Sequence, residues 1–326
     1  MDSVKVVLGT MTFGESVFAP DVKTFIDTYI NDGYDELDTA YVYNEGQCEK
    51  LLGQALKLVN KPYKIATKVN PRVTGKLDAE AVNKQFNESL ERLEREYVDI
   101  LYLHFPDPKT PIDSALKACE ELYQQGKIKE FGLSNFPAWM VADVWNKCNK
   151  NSWIKPTVYQ GIYNPLTRKA ENELNDCLNY FGMRFYAFNP MAGGLLTGRY
   201  KGYNDEPSDG RFTHRPNYQR RYWKKSYFDA IDIIKNSAQK YGISSIEATY
   251  RWLAFHSMLD KKRGDAILIG ASKIEHMREN LKAIKEGPLP EDVVNAFEMA
   301  WTITKGDSPE YFTLYKGKGS VGGEKK

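Results

Sequence analysis

The chain has 326 residues, 42% hydrophobic and 27% charged, a balance that can bury a core and that excludes disorder over most of its length. Lys and Arg total 45 against 43 Asp and Glu, a net charge of +2 with the basic residues dispersed, which argues against a polyanion-binding surface and so against nucleic acid as a partner. Four cysteines, Cys48, Cys119, Cys148 and Cys177, stand far apart with no CxxC pair and no histidine at ligand spacing, so reduced thiols and no metal site are expected.

The opening MDSVKVVLGTM has too short an apolar run for a signal peptide, and no stretch of about 18 apolar residues follows. A cytoplasmic protein that does not span a membrane is expected. Val4 to Leu8 reads as the first strand. Phe25, Ile26, Tyr29 and Ile30 then recur at helical spacing, with Asp21 as a candidate cap and Gly33 as a stop. Further strand-like runs lie at Glu36 to Thr39 and Tyr63 to Lys68. Phe86, Leu90 and Leu93 mark a helix capped by Asp78, and Ile100 to Leu103 is the fourth strand. Gly126 ends another helical stretch before Ile128 to Leu133. Thr157 to Tyr159, Arg184 to Phe188 and Ala266 to Ile269 complete eight strands.

Strands alternating with helices eight times over predict an α/β fold, a (β/α)8 TIM barrel with a long loop after the seventh strand and a C-terminal helix. That loop, Lys201 to Lys225, is polar and aperiodic, as functional loops of such length are. One domain, 1–316, is expected, with a Gly- and Lys-rich mobile tail over 317–326.

Asp38, Tyr43, Lys68 and His104 each fall at or just past the end of a strand, so closing the barrel gathers them at one rim. Each alone reads first as part of a surface ion pair or a capped loop; together they point to proton donation to a carbonyl. Hydride addition builds negative charge on oxygen, and a positioned acid must relieve it. A free Tyr, with a pKa near 10, is a reluctant donor, and lowering it by about two to three units takes roughly 3 to 4 kcal/mol. One ammonium about 4 Å away at an effective dielectric near 20 supplies on the order of 4 kcal/mol. Lys68 is therefore expected to acidify Tyr43, Asp38 to keep Lys68 charged, and His104 to orient the carbonyl.

LDTAYVYNEG from Leu37, KIATKV ending in Lys68 and Val69, and ILYLHFPD around His104 resemble the aldo-keto reductase superfamily. GLSNF, VYQGIYN, FNPMAGGLLTGRY and IGASKIEHMREN extend the resemblance from Val4 to Tyr315, and NPMAGGLLTGRY with PEYF at Pro309 looks most like the aflatoxin-aldehyde reductase branch. The resemblance implies NADPH-dependent reduction of aldehydes, with ketones and dicarbonyls as further candidates. It implies that Ser134, Asn135 and Gln160 hold the nicotinamide carboxamide and that Phe188, where the family often has Tyr, lies under the ring. Met11, Asn189, Pro190, Met191, Leu195 and Arg199 would line the cofactor. Gly193, Gly194 and Gly198 could admit a pyrophosphate, although Arg199 and Tyr200 stand where a phosphate loop needs Lys and Ser or Thr. Ser272, Lys273 and Arg278, with Arg221 from the long loop, would favour the 2′-phosphate of NADPH over NADH. Glu279 and Asn280 would contact adenine, and His276 replaces a frequent Gln.

For the substrate, Met11, Phe13, Tyr41, Phe105 and Phe136 are candidate pocket walls, and Tyr218, Arg221, Tyr311 and Phe312 a candidate lid. A loop arginine would suit acidic or dicarbonyl substrates. The expected assembly is a monomer or homodimer. The competing reading is a regulatory nicotinamide-binding module resembling potassium-channel β-subunits, which calls for an extended partner surface or an N-terminal extension, while about three residues precede the first strand here.

Overall fold

Short β-branched runs pair best when both faces are covered, and here each meets its neighbours in parallel with a helix returning over the outside. The structure, a computed structural model, describes residues 4–205, 207 and 210–314. The expected tail over 317–326 lies outside the described residues. The strands are β1 Lys5–Gly9, β2 Glu36–Asp38, β3 Lys64–Val69, β4 Val98–Leu103, β5 Ile128–Ser134, β6 Pro156–Ile162, β7 Arg184–Phe188 and β8 Ala266–Ile269. They pair in sequence order, and β8 pairs back onto β1 to close the barrel. The main departure from expectation is β6, which runs three residues past Tyr159, so Gln160 lies within the strand.

The helices are α1 Asp21–Asn31, α2 Gln47–Leu56, α3 Pro71–Thr74, α4 Ala79–Leu93, α5 Asp113–Gln124, α6 Ala138–Lys150 and α7 Leu174–Phe181. After β7 come α8 Arg211–His214, α9 Pro216–Tyr222, α10 Lys225–Gln239 and α11 Ser245–Phe255; α12 Ile274–Ala283 and the C-terminal α13 Glu291–Thr304 follow β8. Asp78 caps α4 by accepting from the Ala81 N–H at 2.9 Å. Asp21 does not cap α1: it is already the first helical residue, where its charge meets the positive end of the helix. Among the described residues no helix is long and apolar enough to cross a membrane.

Strand periodicity sorts two cores. Leu101 and Leu103 of β4 join the layer under the helices, whereas Ile100 and Tyr102 join Val7, Ala66, Val158, Tyr186 and Leu268 inside the barrel. A step of two along each strand then carries the interior face upward, from Glu36 to Asp38, Ala66 to Lys68, Tyr102 to His104, Gly132 to Ser134 and Val158 to Gln160. Gly132 is required by this layering, because a Cβ there would lie 2.5 Å from the Tyr102 ring.

The long loop has its own packing. Tyr200, Phe212, Trp223 and Phe228 stack edge to face at 4.9–5.5 Å between centroids, and the Trp223 indole N–H donates to the Tyr203 carbonyl at 2.9 Å. Arg215 then reaches across the mouth to Glu15 at 2.7 Å and to Asn44 Oδ1 at 3.5 Å.

Candidate active site

At the C-terminal mouth of the barrel Lys68 Nζ donates to Asp38 Oδ1 at 2.5 Å and to the Thr39 carbonyl at 2.7 Å. The second carboxylate oxygen accepts from Gln160 Nε2 at 2.8 Å. Both charged groups are sealed from solvent, Lys68 at 0% and Asp38 at 2% exposure, so each depends on the other and on these added hydrogen bonds. Tyr43 opens a 3-10 turn, Tyr43–Gly46, in which Asn44 and Glu45 adopt left-handed φ of 48° and 56°. Asn44 pins the turn by donating to the Met11 and Phe13 carbonyls at 2.8 Å each. The turn sets the Tyr43 ring 5.2 Å from Lys68 Nζ, measured to its centroid, and edge-on to the His104 ring at 6.0 Å. All four expected residues therefore meet.

The electrostatics differ from the simplest expectation. Burial pushes the Tyr43 phenol well above its usual range, and the Asp38 carboxylate adds to the shift. Lys68 does not outweigh this burial, because its charge is offset by a carboxylate at contact distance. Burial also drives Asp38 up and Lys68 down, each opposed by the other's charge. His104 is held well below its usual value by burial and by the cations Lys68 and Arg72, so it is a neutral imidazole.

Around this centre, Asn135, at a left-handed φ of 64°, donates from Nδ2 to the His104 carbonyl at 2.9 Å and to Ser134 Oγ at 3.0 Å. Ser134, Asn135 and Gln160 thus gather beside the catalytic candidates, although Gln160 also holds Asp38. Phe188 ends β7 half-buried against the interior core. Asn189, at φ 56°, has a buried Nδ2 facing the Tyr222 hydroxyl, and its Oδ1 accepts from the Tyr218 hydroxyl at 3.2 Å. Pro190 is buried and Met191 half-buried beside it. Gly193 and Gly194 turn left-handed, and Tyr218 packs so closely on Gly193 that a Cβ there would lie 2.7 Å from its ring. Leu195 is core. Arg221 lies beside the Tyr218 ring at 5.6 Å.

Arg199 is turned onto the Tyr200 ring at 4.7 Å and toward Gly210, in the packing of the long loop. Ser272, Lys273, His276 and Glu279 are exposed where β8 passes into α12, and Asn280 is buried. Arg278 lines a groove with Leu281, Lys282 and Lys285 against Thr28, Asn31 and Asp32 at the end of α1, on a different face of the helix from Asn280. Phe13 and Phe136 are fully buried core rather than pocket wall, and Tyr41 is bound to Glu88 and Arg92. Phe105 does flank the site, stacked on His104 at 4.8 Å with the Arg72 guanidinium 4.0 Å above it. Tyr311 is no lid: its hydroxyl donates to Glu173 at 2.6 Å and accepts from the Ala138 N–H at 3.0 Å, because it anchors the C-terminal segment. Phe312 packs edge-on to Tyr311, and the Thr313 N–H donates to the Asn135 carbonyl at 3.1 Å.

A Tyr, Lys, Asp and His converging at the mouth of a (β/α)8 barrel accord with residues 5–302 matching the Aldo/keto reductase family. The chain belongs to that family. It is 44% identical over 319 residues to human "Aldo-keto reductase family 7 member A3", covering 94% of this chain and 96% of the relative. Identity is also 44% to "Aflatoxin B1 aldehyde reductase member 2" of Rattus norvegicus, over 94% and 87% of the two chains. "Aldo-keto reductase pigE" of Monascus ruber is 32% identical over 90% of each. Membership makes this chain an oxidoreductase of carbonyl compounds.

Two residues of this aldo/keto reductase site escape a reading by strand ends: Asn70, beside His104, and Gln85, on α4, which clamps Asn70. The available signal was local. Asn70-Pro71 directly after β3 is an N-cap followed by a first-turn proline.

Proposed function

We propose that this aldo/keto reductase reduces aldehydes to alcohols, with ketones and dicarbonyls as secondary substrates, using NADPH and Tyr43 as the general acid. The observation that carries the reading is the sealed Asp38–Lys68 pair beneath a phenol and a neutral imidazole at one mouth. NADPH would supply the hydride, which no side chain can. The residues present suit it: left-handed Gly194, with nothing within 4 Å of where a Cβ would sit, leaves room for close backbone approach, and the buried Asn189 Nδ2 offers a donor. Ser272, Lys273 and Arg221 supply hydroxyl and cationic partners for a 2′-phosphate. Relatives named for aflatoxin B1 aldehyde support an aldehyde as substrate.

In this reading His104 donates to the carbonyl oxygen and fixes its angle, and Tyr43 delivers the proton as charge develops there. A raised Tyr43 pKa does not prevent this. An alkoxide is about as basic as hydroxide, whose conjugate acid has a pKa of about 15.7, so transfer from the phenol still runs downhill. As the phenol gives up its proton, the Lys68 ammonium, 5.2 Å from the ring centroid and held charged by Asp38, stabilises the phenolate.

Replacing Tyr43 by Phe should lower kcat by at least about a hundredfold, while NADPH affinity by fluorescence titration stays nearly unchanged. NADPH oxidation at 340 nm with short, aromatic and dicarbonyl aldehydes is the assay. Equal turnover in Tyr43→Phe, or turnover below about once per minute on every aldehyde against the 1 s⁻¹ or more usual for enzymes, would overturn the proposal.

A further inference from the structure

His104 is held by its ring as well as by its backbone. Its N–H donates to the Val69 carbonyl at 2.9 Å, its carbonyl accepts from Asn135 at 2.9 Å, and its Nδ1 lies 3.3 Å from Asn70 Nδ2. The direction of that last bond is fixed by α3. Asn70 Oδ1 accepts from the Arg72 N–H at 3.0 Å, so the amide's NH2 end must face the imidazole; reversing it would set two donors against each other. The peptide carrying Asn70 is clamped in turn, its N–H donating to Gln85 Oε1 at 2.8 Å and its carbonyl accepting from Gln85 Nε2 at 3.1 Å. Gln85 is wholly buried and Asn70 2% exposed. A four-residue helix needs a cap, but capping alone accounts neither for a buried glutamine gripping the cap's peptide nor for the aim of the cap's free NH2 at a ring nitrogen.

Resting on the reduction reading above, we propose that Asn70, braced by Gln85, is a positioning residue that fixes His104 in the tautomer carrying its proton on Nε2. A neutral imidazole has one N–H; Nδ1 accepts from Asn70, so the hydrogen resides on Nε2. Nε2 makes no hydrogen bond among the described residues, and it is the nitrogen left to donate to a carbonyl oxygen. The opposite tautomer would turn a lone pair toward that oxygen and repel it. Protonating the ring would set an Nδ1–H against the Asn70 NH2, which opposes the imidazolium alongside burial and the Lys68 and Arg72 charges.

Two-bond nitrogen–proton NMR spectra of the imidazoles in the free protein test this. The chain has four histidines, and the His104 signal is assigned by its loss in His104→Gln. The wild type should show the Nε2–H pattern. Asn70→Asp keeps an acceptor for the Arg72 N–H but turns an acceptor toward Nδ1. The pattern should therefore switch to Nδ1–H, the ring should gain a titration in the neutral range, and kcat should fall by about tenfold or more with NADPH KM within about twofold. An Nδ1–H pattern in the wild type overturns the proposal without any variant having to fold. An unchanged Nε2–H pattern in a folded Asn70→Asp does the same. Absence of aldehyde turnover in a wild type with the expected spectrum overturns the reduction reading and supports the tautomer assignment.

Discussion

Tyr43 and His104 are both shifted away from neutrality in pH, in opposite directions, and both shifts favour a donor. The phenol, raised above its usual value, is protonated below its own pKa; the imidazole, lowered below its usual value, is neutral above its own. Neither group should titrate between about pH 6.5 and 9, so kcat for reduction should stay flat there in a pH–rate profile. An inflection that moves when His104 is replaced would contradict this. The four catalytic candidates were legible because each sits at a strand end, where barrel sites are built. Asn70 was not, because its signal is a turn dipeptide and its meaning comes from His104, 34 residues away. The balance at Tyr43 was not legible either, because the contact ion pair to Asp38 that offsets the Lys68 charge, and the burial that outweighs it, arise only in the fold.

At the scale of elements, short strand-like apolar runs located eight strands to within a few residues, and a period of two along each strand stacks Glu36 below Asp38 and Ala66 below Lys68. The segment from Lys201 to Lys225 was opaque, since Phe212 of α8 and Trp223, just past α9, are held in an aromatic cluster with Tyr200 rather than by an amphipathic repeat. Arg278, two positions before Asn280 on α12, borders a groove against the end of α1, while Asn280 is buried. Gly193 joins the long loop to the site, with a left-handed φ of 72° and Tyr218 packed against its missing side chain. Gly193→Ala should strain the turn and push Tyr218 off Asn189. NADPH KM should rise about tenfold, equivalent to about 1.4 kcal/mol, with kcat at saturation less affected. A KM within error of the wild type would show that this packing does not shape the cofactor site.

Across the whole molecule, polar groups run through the barrel from Asp38 at the mouth to Glu36 at the base. Burial pushes the Glu36 carboxyl up from 4.5 to about 7, and Tyr186 donates to it at 3.2 Å while its other oxygen lacks a partner. Between those two values the folded protein retains a proton that the unfolded chain releases, so stability falls as pH rises through that window. The loss is on the order of 3 kcal/mol. Glu36→Gln should flatten the dependence of Tm on pH from about 5 to 8 and leave the variant more stable at the upper end; parallel curves for the two proteins would refute the assignment. The cysteine nearest the mouth has a consequence of its own. Cys48 Sγ is enclosed by Thr10 and Thr39 at 3.1 and 3.2 Å, and burial lifts its thiol to about 12. A catalyst of electrophilic carbonyls thus keeps its closest sulfur disarmed, and the neighbouring amine of Lys68 is occupied by Asp38 and Thr39. Incubation with an unsaturated aldehyde should spare Cys48 and alkylate the partly buried Cys177 first, as read by peptide mass spectrometry.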